Sequence, residues 1–151
     1  MKTLQRKQLL PISPAEAWQF LSDPKNLKTI TPDYMGFEIV SGDDRSIFPG
    51  QIIQYKVSPL LGIKMNWVTE ITHVVDGAFF VDEQRFGPYT FWHHKHFIKA
   101  VENGVEMEDI VDYKLPMGFL GDITHQLYVK KQLEAIFDFR EKKLIELFGK
   151  Y

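Results

Sequence analysis

Residues 89–115 read YTFWHHKHFIKAVENGVEMEDIVDYKL, two runs of strand-forming residues on either side of Asn103-Gly104. β-Branched and aromatic residues favour strands, and an Asn-Gly pair between two such runs is the strongest short-range signal for a two-residue hairpin turn. The stretch therefore predicts an antiparallel hairpin, with one strand over about 89–100 and the other over about 105–115.

The charges in this hairpin predict which way its side chains point. A turn at Asn103-Gly104 places Lys95 opposite Asp112, and opposite charges that face each other across two strands are typical of a solvent-exposed face. Successive side chains of a strand point to opposite faces, so His94 and His96 are predicted to point inward. The chain has five histidines, and this inward pair is their most specific arrangement.

The turn before this hairpin is predicted at Gly87-Pro88. A two-residue turn there places Glu83 and Arg85 on the inner face of the preceding strand. Asp82 then lies on the outer face, where it is the neighbour of an exposed His93. This register follows from the alternation of side chains along each strand.

The loop that contains Asp76-Gly77 is predicted to have three residues and to end at Gly77. A two-residue loop would turn Trp67 and Ile71 outward, which their apolar character disfavours. The predicted inner face of the sheet then consists of Tyr55, Met65, Trp67, Thr69, Ile71, Phe79, Val81, Glu83, Arg85, Trp92, His94, His96, Ile98, Asp109, Val111 and Tyr113.

This inner face is wide and aromatic, and it carries several groups that can hydrogen-bond. A buried polar group without a partner costs about 1–3 kcal/mol, so a solid core rarely holds so many of them. An apolar cavity with a few converging polar groups accounts for the pattern, because ligand pockets have this composition. We therefore expect a hollow between the sheet and a helix laid over it.

The rest of the chain predicts the helices around this sheet. Ser13, followed by Pro14 and Glu16, is typical of a helix start, and a second short helix is predicted over residues 24–30. A long helix is predicted over 123–148, where apolar residues recur at helical spacing. The other predicted strands lie at about 3–10, 35–41, 50–57, 62–74 and 78–86.

Composition excludes several classes of function. The chain of 151 residues suits one domain, 1–151, and its net charge of −2 provides no basic excess for binding nucleic acid. The chain has no cysteine, which excludes disulfides, thiolate catalysis and cysteine-type zinc sites. No apolar run approaches the roughly 18 residues of a membrane span, so we expect a cytoplasmic protein without stable membrane insertion.

Several segments resemble the START-like, polyketide cyclase/dehydrase superfamily, which is also called SRPBCC. The resemblance extends over nearly the whole chain, and the segments are most similar to a bacterial subgroup described as ligand-binding proteins. The segments that carry the resemblance are SPAEAW (13–18), LSDP (21–24), FVDEQ (80–84), GPY (87–89), DYKLP (112–116), GFLG (118–121) and QLEAIFDFR (132–140), together with Trp92, His94 and His96.

The resemblance implies an α+β helix-grip fold, in which a curved antiparallel β-sheet wraps around a long C-terminal helix and two short helices follow the first strand. It also implies an internal cavity, because members of the superfamily bind lipids, sterols or polyketides. A minority of members catalyse cyclisation or dehydration. Some members of the bacterial subgroup carry a loose cell-division label, so a protein-interaction module with a vestigial cavity is a third possibility.

We expect the cavity to bind a small hydrophobic molecule without a cofactor, and binding is favoured over catalysis. An aromatase/cyclase- or dehydratase-type enzyme is the alternative, with His94, His96, Asp109 and Glu83 as acid–base candidates. The competing interpretation is a buried ion pair between Glu83 and Arg85 beside passive histidines. The residues expected to contact the ligand are Tyr55, Trp67, Thr69, Glu83, Arg85, Trp92, His94, His96, Asp109 and Tyr113.

A metal site needs at least three ligands, and the sequence provides only two of them in a fixed relation. His94 and His96 share one strand face, whereas a third ligand from Asp109, Glu83 or His125 is not fixed near them. The sequence therefore predicts no metal site.

The segment before the long helix combines apolar side chains with glycines. We expect it to form a gate over the cavity, because glycines allow the backbone to move and the apolar side chains can cover the opening. The alternative is a tight strand-to-helix connection with its side chains tucked in. The gate residues are Pro116, Gly118, Phe119, Leu120 and Gly121.

Overall fold

The computed structural model of the chain describes residues 1–60, 62–120 and 123–151. Within these residues, seven strands, three α-helices and two short 3-10 helices follow one another. The 3-10 helices span Pro24–Leu27 and Asp33–Met35. The other elements are β1 (Lys2–Leu10), α1 (Pro14–Leu21), β2 (Glu38–Ser41), β3 (Gln51–Leu60), β4 (Ile63–Val75), β5 (Phe79–Phe86), β6 (Phe91–Val101), β7 (Gly104–Lys114), α2 (Met117–Leu120) and α3 (Ile123–Phe148).

The strands form one curved antiparallel sheet in the order β1-β7-β6-β5-β4-β3-β2. Strands β2 to β7 follow one another as a meander, and β1 pairs with β7 at one edge of the sheet. Helix α3 packs against this sheet, as the predicted helix-grip architecture requires. The predicted fold class is therefore confirmed.

Helix α3 is held to the sheet by an apolar stripe along one side. Val129, Leu133 and Phe137 recur every four residues, and they pack in one cluster with residues of β7, among them Val111. Leu144 continues the stripe into a second cluster that includes residues of β1, β6 and β7. Burying a side chain of this size stabilises the fold by about 1.5–3 kcal/mol. The stripe thus fixes which side of α3 faces the sheet.

The segment between α1 and β3 departs from the predicted elements. Helix α1 begins as predicted, with the Ser13 hydroxyl accepting a hydrogen bond from the backbone N–H of Glu16 at 3.1 Å. The predicted second helix over 24–30 is only a short 3-10 helix, capped by the side chain of Asp23. The next strand begins at Glu38 instead of residue 35, because Asp33–Met35 forms the second 3-10 helix.

The hairpin of β6 and β7 turns one residue earlier than predicted. Its two-residue loop is Glu102-Asn103, and Asn103 adopts the left-handed conformation with φ of 59°. Gly104 already belongs to β7, and a Cβ atom there would lie 2.2 Å from the carbonyl oxygen of Leu10. Lys95 therefore lies opposite Ile110 in the ladder instead of Asp112, although its Nζ still reaches Oδ2 of Asp112 at 2.9 Å. The shift is two residues, so both histidines keep their predicted inward face.

The pairing of β5 with β6 differs from the prediction by one residue, which exchanges the two faces of β5. Asp82 lies opposite His94, and Glu83 lies opposite His93. Phe80 and Asp82 therefore point inward, whereas Glu83 and Arg85 point outward. The predicted inward positions of Phe79 and Val81 are wrong for the same reason.

A four-residue loop, instead of the predicted two-residue turn at Gly87-Pro88, causes this exchange. Strand β5 ends at Phe86 and β6 begins at Phe91. The side chain of Gln84 donates to the carbonyl oxygen of Tyr89 at 2.7 Å and accepts from its N–H at 3.0 Å. These two hydrogen bonds satisfy backbone groups that a tighter turn would have paired in the ladder.

The loop between β4 and β5 has the predicted three residues but lies one residue later, at 76–78. The register of this strand pair shifts twice, between Val68 and Thr69 and between Ile71 and His73. Such bulges re-aim side chains without breaking the sheet. Trp67, Thr69 and Ile71 keep their predicted inward orientation. Within the described residues, no helix is both long enough and apolar enough to cross a membrane.

Candidate functional site

A cavity of about 200 Å³ lies between the inner face of the sheet, helix α3 and the segment from α1 to β2. Its wall is largely apolar. Trp67, Tyr89 and Trp92 form an aromatic group in that wall, with ring centroids 4.9–5.7 Å apart. Further lining residues include Phe20, Leu21, Leu27, Ile30, Met35, Phe37, Ile53, Val57, Ile71, Phe80, Leu133, Ile136 and Phe137.

Most of the residues predicted to contact a ligand lie in or behind this wall. Asp109 is buried directly behind the histidines, and Tyr113 is buried in the core cluster that joins β7 to α3. The predicted residues that line the cavity are Tyr55, Trp67, Thr69, Trp92, His94 and His96.

The predicted inward orientation of Glu83 and Arg85 is wrong, because both side chains lie on the outer face of β5. The side chain of Arg85 is half exposed, and its guanidinium donates to Glu70 at 3.2 Å. Glu83 lies 3.4 Å from Arg85 and 2.6 Å from Nδ1 of His93. The predicted Glu83–Arg85 ion pair thus exists, but on the outer face of the sheet. His93 points outward as predicted, with Glu83 as its partner instead of Asp82.

Two residues of the site were not predicted from the sequence, Asp82 and Arg140. Asp82 was assigned to the outer face by the one-residue error in register. Arg140 follows Phe137 by three residues and precedes Leu144 by four, which places it on the apolar stripe of α3. A charged residue within such a stripe is a signal that could have identified it, because an isolated arginine is almost never fully buried.

Asp82, His94, His96, Asp109 and Arg140 form a cluster at the sheet end of the cavity, which we call the polar cluster. Neighbouring strands assemble it: His94 faces Asp82 across β5 and β6, and His96 faces Asp109 across β6 and β7. All four strand residues are held on the same face by the alternation of side chains. Arg140 reaches the cluster from α3, with Nη2 at 3.5 Å from Oδ1 of Asp109.

Each imidazole of the polar cluster lies between the two carboxylates. Nε2 of His94 hydrogen-bonds to Oδ1 of Asp109 at 2.9 Å, and its Nδ1 lies 3.7 Å from Oδ2 of Asp82. Nε2 of His96 hydrogen-bonds to Oδ2 of Asp82 at 2.5 Å, and its Nδ1 lies 3.1 Å from Oδ1 of Asp109. The two rings are 3.7 Å apart between centroids, and Phe80 stacks on His96 at 4.0 Å.

The neighbouring cations hold both carboxylates of the cluster in the charged form. Burial alone would raise the pKa of Asp109, but the charge of Arg140 and the hydrogen bonds of the histidines lower that pKa well below its ordinary value. Burial likewise opposes ionisation of Asp82, and the two histidines still lower its pKa. Charged groups in a desolvated site require such compensation.

The pKa values of the two histidines are shifted in opposite directions. Burial and the charge on His96 lower the pKa of His94. Burial also acts against charging His96, but contacts with Asp109 and Asp82 overcome it and raise the pKa of His96. Near pH 6.5 the cluster therefore holds one charged and one neutral imidazole. Two such groups side by side provide a proton donor and a proton acceptor on the cavity wall.

The cluster also brings together a possible set of metal ligands. Asp82, His94 and His96 each offer one ligand atom, and these three atoms all lie within 4.8 Å of one another. Among the third ligands considered from the sequence, Glu83 lies on the outer face, and Asp109 lies behind the histidines. Asp82 is the third candidate ligand, which the sequence did not identify.

The structure describes only some of the predicted gate residues. Gly118 lies in helix α2, and Pro116 precedes that helix. Gly121 and the side chains of Phe119 and Leu120 lie outside the described residues. The gate therefore stays a prediction.

Comparison with solved structures identifies the fold. Protein CV1439 from Chromobacterium violaceum superposes with a TM-score of 0.72 at 16% identity, covering 100% of both chains. Protein Ms6760 from Mycobacterium smegmatis gives 0.66 at 17% identity, covering 96% of this chain and 92% of that one. Ara h 8.0201, a Bet v 1-like protein, gives 0.60 at 16% identity, covering 96% and 98%.

At these identities the likeness concerns the fold and not the activity. No model of a known protein family matches the chain, and no curated protein matches it by sequence. The seven-stranded antiparallel sheet, the long C-terminal helix and the solved structures together show that the chain has a helix-grip, α+β fold.

Proposed function

We propose that this protein is a cytoplasmic carrier that binds a compact, largely apolar molecule with one polar end. The observation that carries the proposal is the cavity of about 200 Å³, whose wall is aromatic and aliphatic and whose sheet end is the polar cluster. Ligand pockets in proteins have this composition, with a few converging polar groups that fix orientation. The helix-grip fold of the similar structures supports small-ligand binding.

The volume favours a molecule of one or two rings. An apolar cavity of about 150 Å³ holds benzene, so about 200 Å³ suits a slightly larger aromatic body. A sterol has four fused rings and a side chain, and it requires α3 to move away from the sheet. A polyketide-like aromatic compound therefore fits better than a sterol or a long-chain lipid.

The polar end of the ligand is expected at Arg140. In the part of the chain that the structure describes, Nε of Arg140 is buried and has no hydrogen-bond partner. Leaving such a group unsatisfied costs about 1–3 kcal/mol. A hydroxyl or carbonyl oxygen of a ligand supplies the missing partner, because Arg140 lines the cavity.

Titration with 2-naphthol tests the proposal, because it has two rings and one hydroxyl. We expect saturable binding at one site, measured by calorimetry and by quenching of tryptophan fluorescence from Trp67 and Trp92. Ile53→Phe fills part of the cavity and should abolish binding. Ile52→Phe is the matched control, because Ile52 is the preceding residue of β3 and is exposed on the other face. Equal binding by both variants would contradict the proposal.

Acid–base catalysis in the same cavity is a second candidate function. The pKa values of the two histidines favour this candidate. The pKa of His94 is lowered and that of His96 is raised, which leaves His94 neutral and His96 charged beside the cavity. In a dehydration, His94 would take the proton next to a carbonyl group. His96 would give its proton to the departing hydroxyl group, which leaves as water.

Dehydration of 3-hydroxy-1-tetralone to 1-naphthol tests this candidate. The reaction removes one proton from C2 and the hydroxyl from C3, and the resulting ketone tautomerises to the aromatic alcohol. An enzyme should accelerate the appearance of 1-naphthol absorbance, and His94→Gln or His96→Gln should abolish the acceleration. His93→Gln should leave it unchanged, because His93 lies on the outer face. Binding of 2-naphthol without turnover would support the carrier alone.

A further inference from the structure

We propose that Asp82, His94 and His96 bind one divalent transition-metal ion at the sheet end of the cavity. The ligand atoms are Oδ2 of Asp82, Nδ1 of His94 and Nε2 of His96. Three protein ligands leave at least one coordination position open, as in catalytic metal sites. This site lies beside the proposed ligand but does not depend on that ligand.

The three ligand atoms all lie within 4.8 Å of one another, a spacing that a metal ion can draw together. With metal–ligand distances of about 2.0–2.2 Å in a tetrahedral site, neighbouring ligand atoms lie about 3.3–3.6 Å apart. Oδ2 of Asp82 lies 2.5 Å from Nε2 of His96 and 3.7 Å from Nδ1 of His94. The first distance has to lengthen by about 1 Å to reach this spacing, and the second already lies close to it. Small rotations of the three side chains provide this change.

The outer contacts of the histidines match those of metal-bound histidines. A histidine that binds a metal through one ring nitrogen almost always places the other against a carboxylate, a carbonyl or water. Asp109 has this role for both rings, at 2.9 Å from Nε2 of His94 and 3.1 Å from Nδ1 of His96. Arg140 in turn lies 3.5 Å from Asp109 and orients its carboxylate.

The donor set selects the class of metal. Two imidazoles and one carboxylate suit zinc and ferrous iron, whereas magnesium and calcium prefer oxygen ligands alone. With both imidazoles neutral, the ion outweighs the charges of Asp82, Asp109 and Arg140 and leaves the site positive. The open position should therefore attract a hydroxide or an anionic ligand oxygen.

Metal titration of the protein, after treatment with a chelator, tests the proposal. We expect one Zn²⁺ per chain by calorimetry, and a visible absorption band when Co²⁺ replaces it. Asp82→Asn and His96→Gln should each weaken Zn²⁺ binding by more than about 100-fold, and Asp109→Asn should weaken it by about 10–100-fold. Thermal unfolding and circular dichroism establish that each variant is folded.

The neighbouring residues of the same strands provide matched controls. Glu83→Gln and His93→Gln make the corresponding chemical changes one and three positions away, on the outer face. Both should retain the affinity for Zn²⁺. If they weaken it as much as Asp82→Asn and His96→Gln do, or if the folded wild-type protein binds no Zn²⁺, the proposal is wrong. Binding of 2-naphthol by that same metal-free protein shows that the failure concerns the metal and not the cavity.

Discussion

Nη2 of Arg140 lies 3.5 Å from Oδ1 of Asp109, so a buried ion pair joins the long helix to strand β7 of the sheet. Both side chains are about nine-tenths buried. A buried charge that loses its partner is costly, because neither water nor another charge compensates it. This pair therefore connects the stability of the helix–sheet packing to the chemistry of the cavity.

Arg140→Leu should lower the free energy of unfolding by about 3 kcal/mol, because Asp109 stays buried without its main cation. Urea denaturation at neutral pH measures the change. The double variant Arg140→Leu/Asp109→Asn should recover part of the loss, since it removes the stranded charge. A double variant that is less stable than Arg140→Leu would show that the ion pair is not the cause.

Gln84→Ala should destabilise the β5–β6 loop and weaken binding of 2-naphthol. The substitution removes two hydrogen bonds to the buried backbone of Tyr89, whose ring lines the cavity. Leaving these groups unpaired should cost about 1–3 kcal/mol, measured by urea denaturation. Gln54→Ala is the control, because Gln54 is exposed on β3. Equal effects of the two substitutions would exclude the loop as the cause.

Gly104→Ala should be strongly destabilising, whereas Gly118→Ala should be neutral or stabilising. A Cβ at position 104 would lie 2.2 Å from a backbone oxygen of β1, which cannot move without breaking the β1–β7 ladder. A Cβ at position 118 meets nothing within 4 Å, and alanine in a helix is favoured over glycine by up to about 1 kcal/mol. The difference between the two melting temperatures is the readout.

The metal-free protein should be most stable near pH 6.5. The raised pKa of His96 gives stability that is complete below 6.5 and is lost as the pH rises through its folded pKa. The lowered pKa of His94 makes folding less favourable as the pH falls below 6.5. The lowered pKa values of Asp82 and Asp109 give stability that is present above 3.8 and is lost below it.

Urea denaturation between pH 3 and pH 9, with a chelator present, measures this profile. His96→Gln should remove the decrease on the alkaline side, because the titrating group is absent. His93→Gln should retain it. A wild-type profile that is flat from pH 6 to pH 9 would contradict the role of His96.

The long helix over an antiparallel sheet and the inward face of β6 could be predicted from the sequence, because both depend on patterns longer than any single turn, and the family resemblance implied the helix-grip fold. His94 and His96 kept their face although the hairpin turned one residue early, since the register shifted by two. The face of β5 could not be predicted in the same way. It depends on the four-residue loop, and that loop is fixed by hydrogen bonds between Gln84 and Tyr89 that no local pattern reveals.

The residues of the candidate site were predicted only in part, because some lie on strands whose face the sequence pattern determines and Asp82 lies on β5. Trp67, Thr69 and Trp92 were placed correctly because apolar alternation determines their face. Asp82 and Glu83 are adjacent carboxylates, so an error of one residue exchanged them. Arg140 was not predicted because its role depends on its contact with Asp109 across the core. Its position among the apolar residues of α3 was nevertheless visible in the sequence.

The link between Arg140 and Asp109 also limits what the protein can accommodate. A guest wider than the hollow has to push the long helix outward, and Arg140 travels with that helix. Asp109 then loses its cation and becomes easier to protonate, which in turn loosens its hold on both imidazoles. Widening of the cavity and protonation of Asp109 are therefore expected to occur together.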